Sequence, residues 1–207
     1  MPPEQESNPK RFVVLEIGGY PEAYAIYRTH FEHEEGAFNS RTEVIEAIGS
    51  TAQGTAEIWR FLLDIDWSAT TTVSFLPLDH PIFLLVANPR LIRARVGDSL
   101  WIRLVDVGAA LSGRAYAVDG SVVFEVHDAT CPWNEGRWKL AGGKAARTEE
   151  PAELALDVDA LGSTYLGAVS FAQLHESFRV QELSEGAVAR ADALFSWRPL
   201  PWCPEIF

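Results

Sequence analysis

Apolar residues in the first part of the chain fall into short runs separated by turn residues, which is the pattern of a β-sheet. The run Arg11–Ile17 (RFVVLEI) predicts a buried strand, and a Gly-Gly turn then leads into a second strand over residues 24–29. Further strands are predicted over residues 42–48 and 70–75, where β-branched residues are frequent. The first part of the chain is therefore predicted to build a sheet.

A long helix is predicted between the third and fourth of these strands. Ser50 or Thr51 can cap its start, because a side-chain oxygen there accepts a hydrogen bond from main-chain N–H groups of the first turn. Apolar residues then recur every three or four positions, which places Trp59 on one face of the helix. A short helix over residues 82–87 must end ahead of Pro89.

The order of predicted elements changes near residue 97, and this change indicates a domain boundary. The elements predicted after it are a strand over 100–106, a helix over 107–116, strands over 121–126 and 155–158, a short helix capped by Asp159, and a helix over 185–195. We therefore predict an α+β protein with a disordered leader over residues 1–10 and two small domains, over residues 11–97 and 98–207.

The chain is acidic, with a formal net charge of −12 and a pI near 4.8. Nucleic acid is excluded as a partner, because phosphate contacts need clustered Lys and Arg. No apolar run approaches the roughly 20 residues of a membrane span, and the polar start has no apolar signal region. The sequence thus predicts a cytoplasmic protein without a membrane partner, in which Cys131 and Cys203 stay unpaired.

Several kinds of catalytic site have no matching motif in this sequence. It has no Walker A loop, GxGxxG, GxSxG, CxxC or HExxH pattern. His30 and His33 stand beside Glu34 and Glu35, which suggests a metal site, but this spacing alone does not converge on one ion. A hydrated turn is the favoured interpretation, and no metal is predicted.

Three groups of motifs are specific enough to indicate a family. They are WRFLLDID with PLDHP, LWIRLVDVGAAL with CPWNEGRWKL, and ALGSTYLG with RADALFSW and the final PWCPEIF. In this order they resemble the central and C-terminal domains of the Eis (enhanced intracellular survival) family of N-acetyltransferases. The family is similar to enzymes that acetylate aminoglycosides and lysine side chains.

The resemblance implies a partial second GNAT-like domain, a mixed sheet with helices, over residues 11–97. A sterol-carrier-protein-2-like sheet covered by helices would follow over residues 98–207. The family's acetyl-CoA loop, [QR]-x-x-G-x-[GA], has no match in the sequence. The chain is therefore expected to be a C-terminal half that binds no acetyl-CoA, the cofactor of the full-length family, and that is inactive without a missing N-terminal GNAT domain.

The resemblance also implies candidate site residues. The α-carboxylate of the last residue, Phe207, would act as general base. Glu205, Trp59, Asp64 and Asp66 would contact a cationic amine acceptor, which is a small molecule or a lysine side chain. For Trp59 the alternative is a place in the core, for the two aspartates a solvated helix end, and for the tail a frayed terminus.

The tryptophans of CPWNEGRWKL are expected to form a structural corner, with Arg137 stacked on an indole or paired with Asp128. Two functions besides catalysis remain open at this point. One is an apolar-ligand binding module of the sterol-carrier type, and the other is an oligomerisation scaffold in a homo-oligomer.

Overall fold

The computed structural model describes residues 8–34, 37–98 and 100–205, so most of the predicted leader and Phe207 lie outside the described residues. It divides into two compact units. The first contains the described residues up to Val96 together with Pro204 and Glu205, and the second is Gly97–Cys203. Each unit carries a mixed sheet with helices.

The sheet of the first unit has the strand order β1-β2-β3-β4. Its elements are β1 (Arg11–Ile17), β2 (Tyr20–Glu34), β3 (Ala37–Gly49), α1 (Ala52–Leu63), β4 (Ser68–Val73) and α2 (Ile82–Leu85). The first three strands are antiparallel, and β4 is parallel to β3 because α1 crosses between them. The predicted strands are present, and β2 and β3 extend further than predicted into polar sequence.

Helix α1 begins and packs as its sequence predicts. The Thr51 hydroxyl accepts a hydrogen bond from the N–H of Gly54 at 3.0 Å, so Thr51 is the cap. Ile58, Trp59 and Leu62 on one face are buried in the core of the first unit, which the sheet contributes to through residues such as Val44. The capping hydrogen bond and the burial of the apolar face therefore both stabilise this helix.

The second unit has a five-stranded sheet with the order β7-β6-β5-β8-β9. Its strands are β5 (Ser121–His127), β6 (Gly136–Ala141), β7 (Lys144–Arg147), β8 (Leu154–Asp157) and β9 (Val180–Glu182). Its helices are α3 (Val107–Gly113), α4 (Val158–Thr164), α5 (Phe171–Glu176) and α6 (Ala187–Phe195). Strand β5 pairs antiparallel with β6 and parallel with β8, so this sheet is mixed as well.

The strand predicted over residues 100–106 is wrong. This segment has no assigned strand pairing, although Leu104 is buried in the core and Trp101 is exposed. Buried and exposed residues alternate in this segment because it lies along the core, although it pairs with no strand. Hairpin β6–β7 and helix α5 were not predicted, because their short segments show little periodicity.

Aromatic side chains fill the space between the sheet and the helices of the second unit. The Phe171 ring lies 5.7 Å from that of Phe124 and 5.0 Å from that of Phe195, measured between centroids. All three are at most 2% exposed. This space is packed core, which leaves the sterol-carrier alternative without a tunnel at this position.

Asp128 is the centre of the predicted structural corner. Its buried carboxylate accepts hydrogen bonds from the N–H groups of Thr130 and Cys131, from the Asn134 amide and from the Arg103 guanidinium. The corner is thus present. The predictions that Arg137 stacks on an indole or pairs with Asp128 are wrong, because two other arginines make these contacts. Arg103 pairs with Asp128. Arg147, on β7, stacks over the Trp138 ring, with its guanidinium carbon 4.2 Å from the ring centroid.

Phe178 combines complete exposure with a left-handed backbone. Its side chain is 97% exposed and its φ is +61°. A side chain with a Cβ is disfavoured in this region, whereas glycine is not. We expect Phe178→Gly to be about 1 kcal/mol more stable than the matched variant Phe178→Ala, measured by urea unfolding. Equal stability of the two variants would show that this backbone is unstrained.

Cys131 is a buried free thiol, and Cys203 is partly exposed. Among residues 8–34, 37–98 and 100–205, no helix is long and apolar enough to cross a membrane.

Candidate functional site

The candidate site of the first unit lies where the parallel strands β3 and β4 end. The two strands pair from Ser40 and Ser68 up to Val44 and Val73. Beyond this point β3 continues to the start of α1, and the chain after β4 turns away at Phe75, whose φ is +58°. Ligand crevices in sheets with parallel strands form at such carboxyl ends, next to a helix start.

The loop that follows β4 packs His80 against α1. The His80 ring packs edge-on against Trp59, with centroids 5.3 Å apart, and its Nδ1 accepts a hydrogen bond from the N–H of Ile82 at 3.1 Å. Burial lowers the pKa of His80, against a smaller opposing effect of the Asp79 charge. The imidazole is therefore neutral near pH 7, with its proton assigned to Nε2 from the hydrogen bond at Nδ1.

Glu22, on β2, occupies the start of α1. Its carboxylate accepts hydrogen bonds from the hydroxyls of Ser50 at 2.9 Å and Thr51 at 2.8 Å. Its carbonyl oxygen accepts another from the Ser50 N–H at 2.8 Å, and a Cβ at Gly54 would collide with that same oxygen. The start of α1 therefore does not fit the pyrophosphate of acetyl-CoA, because an acidic side chain and a main chain already fill it.

The predicted substrate residues do not converge on this region. Asp64 and Asp66 follow the end of α1, and a helix of 12 residues separates them from Thr51 by about 18 Å. Asp64 is exposed and lies 3.8 Å from Arg60, an ion pair at the helix end. Trp59 is 3% exposed, so it belongs to the core and supports the loop that carries His80.

The tail is described only in part. Glu205 is exposed and belongs to the first unit, whereas Phe207 lies outside the described residues. The structure therefore gives no position for the terminal carboxylate.

Sequence reasoning did not select Glu22 or His80. His80 could have been noticed within PLDHP, since a histidine between two prolines is held in a fixed loop. Glu22 gives no such signal, because its contacts with Ser50 and Thr51 join positions 28 and 29 residues apart.

His30 lies within β2 and not in a hydrated turn, so that interpretation is wrong. Its Nε2 is 2.8 Å from a carboxylate oxygen of Glu43 on β3, because the long hairpin places the two strands side by side. In the described part of the chain, no group of three or more His, Cys, Asp or Glu residues is placed to hold a metal ion.

The second unit contains a cavity of about 200 Å³ with a polar rim. Arg114 lines it, and the guanidinium stacks at 4.3 Å from the centroid of the Phe195 ring while donating a hydrogen bond to the Phe195 carbonyl at 3.1 Å. The cavity is small for an apolar ligand, since ligand pockets usually measure about 300–1,000 Å³.

Two protein families match successive parts of the chain. Residues 1–104 match the acetyltransferase (GNAT) domain, and residues 107–204 match the sterol carrier protein domain. An N-acetyltransferase of Streptomyces avermitilis is 42% identical over 207 residues, which cover 97% of this chain and 50% of that protein. The N-acetyltransferase Eis of Mycobacterium tuberculosis is 32% identical over 185 residues, covering 86% of this chain and 43% of Eis.

A solved structure with the same fold supports these matches. The crystal structure of Eis1 from Mycobacterium abscessus superimposes with a TM-score of 0.79 and 33% identity, over 89% of this chain and 48% of that one. The chain thus spans about half the length of the curated relatives that it matches. It resembles Eis-type N-acetyltransferases in sequence and in fold.

These matches overturn several predictions. The prediction of a C-terminal half with only a partial second GNAT-like domain is wrong, because residues 1–104 match the acetyltransferase (GNAT) domain. The predictions that the chain alone binds no acetyl-CoA, is inactive and needs a missing GNAT domain as partner are wrong for the same reason, since a GNAT domain implies acetyl-CoA binding. The missing loop pattern was a poor guide to whether the chain has a GNAT domain of its own. With half of its residues matched, the chain belongs to the acetyltransferase (GNAT) domain family.

Proposed function

We propose that this protein is an Eis-like N-acetyltransferase of the cytoplasm, which transfers an acetyl group from acetyl-CoA to the amine of a cationic acceptor. The observation that carries the proposal is the GNAT match over residues 1–104, a region that folds into the parallel β3–α1–β4 unit. Acceptors of the aminoglycoside or lysine type follow from the similarity to Eis.

The charge of the chain supports a cationic acceptor. At a formal net charge of −12, the field of the protein raises the local concentration of a polycation and speeds its association. Asp64 and Asp66, at the end of α1, are exposed and contribute to this field.

We further propose that the carboxylate of Phe207 and the side chain of Glu205 orient the acceptor amine. A terminal carboxylate has a reference pKa of about 3.3–3.7, so it is charged at neutral pH and holds an ammonium group well. Such a weak base accepts the proton of the amine through a water or after its pKa is raised.

The test is an acetyl-transfer assay with acetyl-CoA and an aminoglycoside or lysine acceptor, in which the released CoA thiol is measured. We expect saturable release that falls at least about tenfold when Gly-Ser is appended after Phe207, with Gly-Ser added before Met1 as the matched control. An unchanged rate after the C-terminal extension would remove the role of the carboxylate. No thiol release with either acceptor class would contradict the proposed activity itself.

A homo-oligomer is the second candidate, favoured by the open face of the first sheet. Phe12 and Val14 on β1 are 72% and 60% exposed, and Val14 pairs with Tyr24, which is also exposed. Contiguous exposed apolar surface of this kind is typical of interaction sites. Light scattering tests the assignment, and a monomer at high protein concentration would count against it.

A further inference from the structure

Glu22 joins strand β2 to the cap of α1 through several hydrogen bonds. Its carboxylate oxygen Oε2 accepts from both the Ser50 and the Thr51 hydroxyls, at 2.9 and 2.8 Å. The single proton of the Ser50 hydroxyl is shared between this oxygen and the Glu22 carbonyl oxygen, which lies 3.1 Å from the hydroxyl. Thr51 in turn accepts from the N–H of Gly54, so the carboxylate is linked to the helix start by the capping side chain itself.

The position of this carboxylate is one that favours anions. The start of a helix carries a partial positive charge of about half an elementary charge, and hydroxyl and N–H donors point outward there. A phosphate placed at this start would use these same donors. It would also face the negative charge of Glu22 at close range, which is unfavourable.

The main chain closes the other side of the helix start. A Cβ on Gly54 would collide with the carbonyl oxygen of Glu22 and come within 3.0 Å of its carbonyl carbon. Strand β2 therefore lies directly against the first turn of α1. Glycine at position 54 is explained by this close approach, and it needs no bound phosphate to account for it.

We propose that Glu22 is an internal anion that occupies the start of α1 and excludes the pyrophosphate of the acetyl donor from it. The identity of the excluded ligand rests on the proposed function. Other residues then hold the donor's pyrophosphate, and the helix start serves as a fixed junction between β2, β3 and α1.

The test measures binding of inorganic phosphate by isothermal titration calorimetry to the intact chain and to Glu22→Ala. Removing the side chain leaves the Ser50 and Thr51 hydroxyls and the helix start open to one phosphate group. We expect at least about tenfold tighter phosphate binding by Glu22→Ala than by the unaltered chain. The matched control is Glu57→Ala, which removes the same charge from the exposed face of α1 and should bind as the unaltered chain does.

A second pair of variants locates the effect. Adding Ser50→Ala to Glu22→Ala should remove the gain, whereas a gain that survives it would place the phosphate elsewhere and overturn the proposal. Glu22→Ser, which also removes most of the side chain, serves if circular dichroism shows that Glu22→Ala is unfolded. Equal phosphate affinity of the unaltered chain and the folded Glu22 variants would overturn the proposal as well. Because this readout involves no acetyl transfer, it fails or succeeds independently of the proposed function.

Discussion

Replacing Asp128 with alanine is expected to lower the free energy of unfolding of the second unit by about 3 kcal/mol, as measured by urea unfolding. The Asp128 side chain is 1% exposed, and its carboxylate serves four donors, of which the Arg103 guanidinium is the closest at 2.5 Å. The alanine variant leaves buried N–H groups of the corner without an acceptor, which is more costly than the loss of an average hydrogen bond.

A matched control for Asp128 exists on the surface of the same unit. Asp159 pairs with Arg179 at 2.8 Å, but its side chain is 67% exposed. Asp159→Ala should therefore lower the free energy of unfolding by less than about 1 kcal/mol. Similar losses in the two variants would mean that the corner around Asp128 does not stabilise the unit through burial.

The Asp128 carboxylate also makes the free energy of unfolding of the second unit depend on pH. Burial raises the pKa of Asp128, but hydrogen bonds from Asn134, the Cys131 N–H and Arg103 outweigh this and lower the pKa to about 2. The unfolded value is about 3.9, so the contribution of Asp128 to stability is complete above about pH 5 and is lost as the pH falls towards 2. The alanine variant should lose less stability than the unaltered chain over this range.

Local features of the first unit could be predicted because the interactions that fix them are close in sequence. Thr51 caps the helix that begins directly after it, and Trp59 falls on the buried face by its spacing alone. The contacts that shape the candidate site link distant positions. Glu22 reaches Ser50 and Thr51 only because β2 and β3 pair, and a pattern of apolar and polar residues does not contain that pairing.

In the second unit, the contacts of the structural corner also link positions that are distant in sequence, so they could not be predicted from the motif. Its motif indicated a fixed arrangement of aromatic and charged residues, and this is present. The arginines that complete it come from outside the motif: Arg103 from the segment before α3 and Arg147 from β7. Which arginine pairs with Asp128 depends on the fold of the whole unit, and residue type alone left Arg137 as the nearest choice.

Family membership was predicted from motifs, but the prediction that the chain binds no acetyl-CoA was drawn from one absent pattern. A loop pattern describes one way to hold a pyrophosphate at a helix start, and the start of α1 is closed by Glu22 in this chain. The absence of the pattern therefore concerns only this one way of holding a pyrophosphate. It says nothing about the remainder of residues 1–104, which match the family.

Replacing Phe195 with alanine is expected to lower the free energy of unfolding of the second unit by about 4 kcal/mol. The ring is 2% exposed and lies against the rings of Phe171, Phe124 and Tyr116, at centroid distances of 5.0, 6.0 and 5.5 Å. Its removal leaves a cavity among rigid rings, which cannot collapse to fill it, and it takes away the surface on which Arg114 stacks.

Urea unfolding followed by circular dichroism measures the effect of this substitution, and Phe178→Ala is its control. The two variants lose the same atoms, but Phe178 is 97% exposed, so its replacement should change the free energy of unfolding by less than about 0.5 kcal/mol. If Phe195→Ala were as mild, the aromatic cluster would not be the core of this unit. The space between sheet and helices would then be able to adapt to a guest, and the apolar-ligand alternative would regain its physical basis.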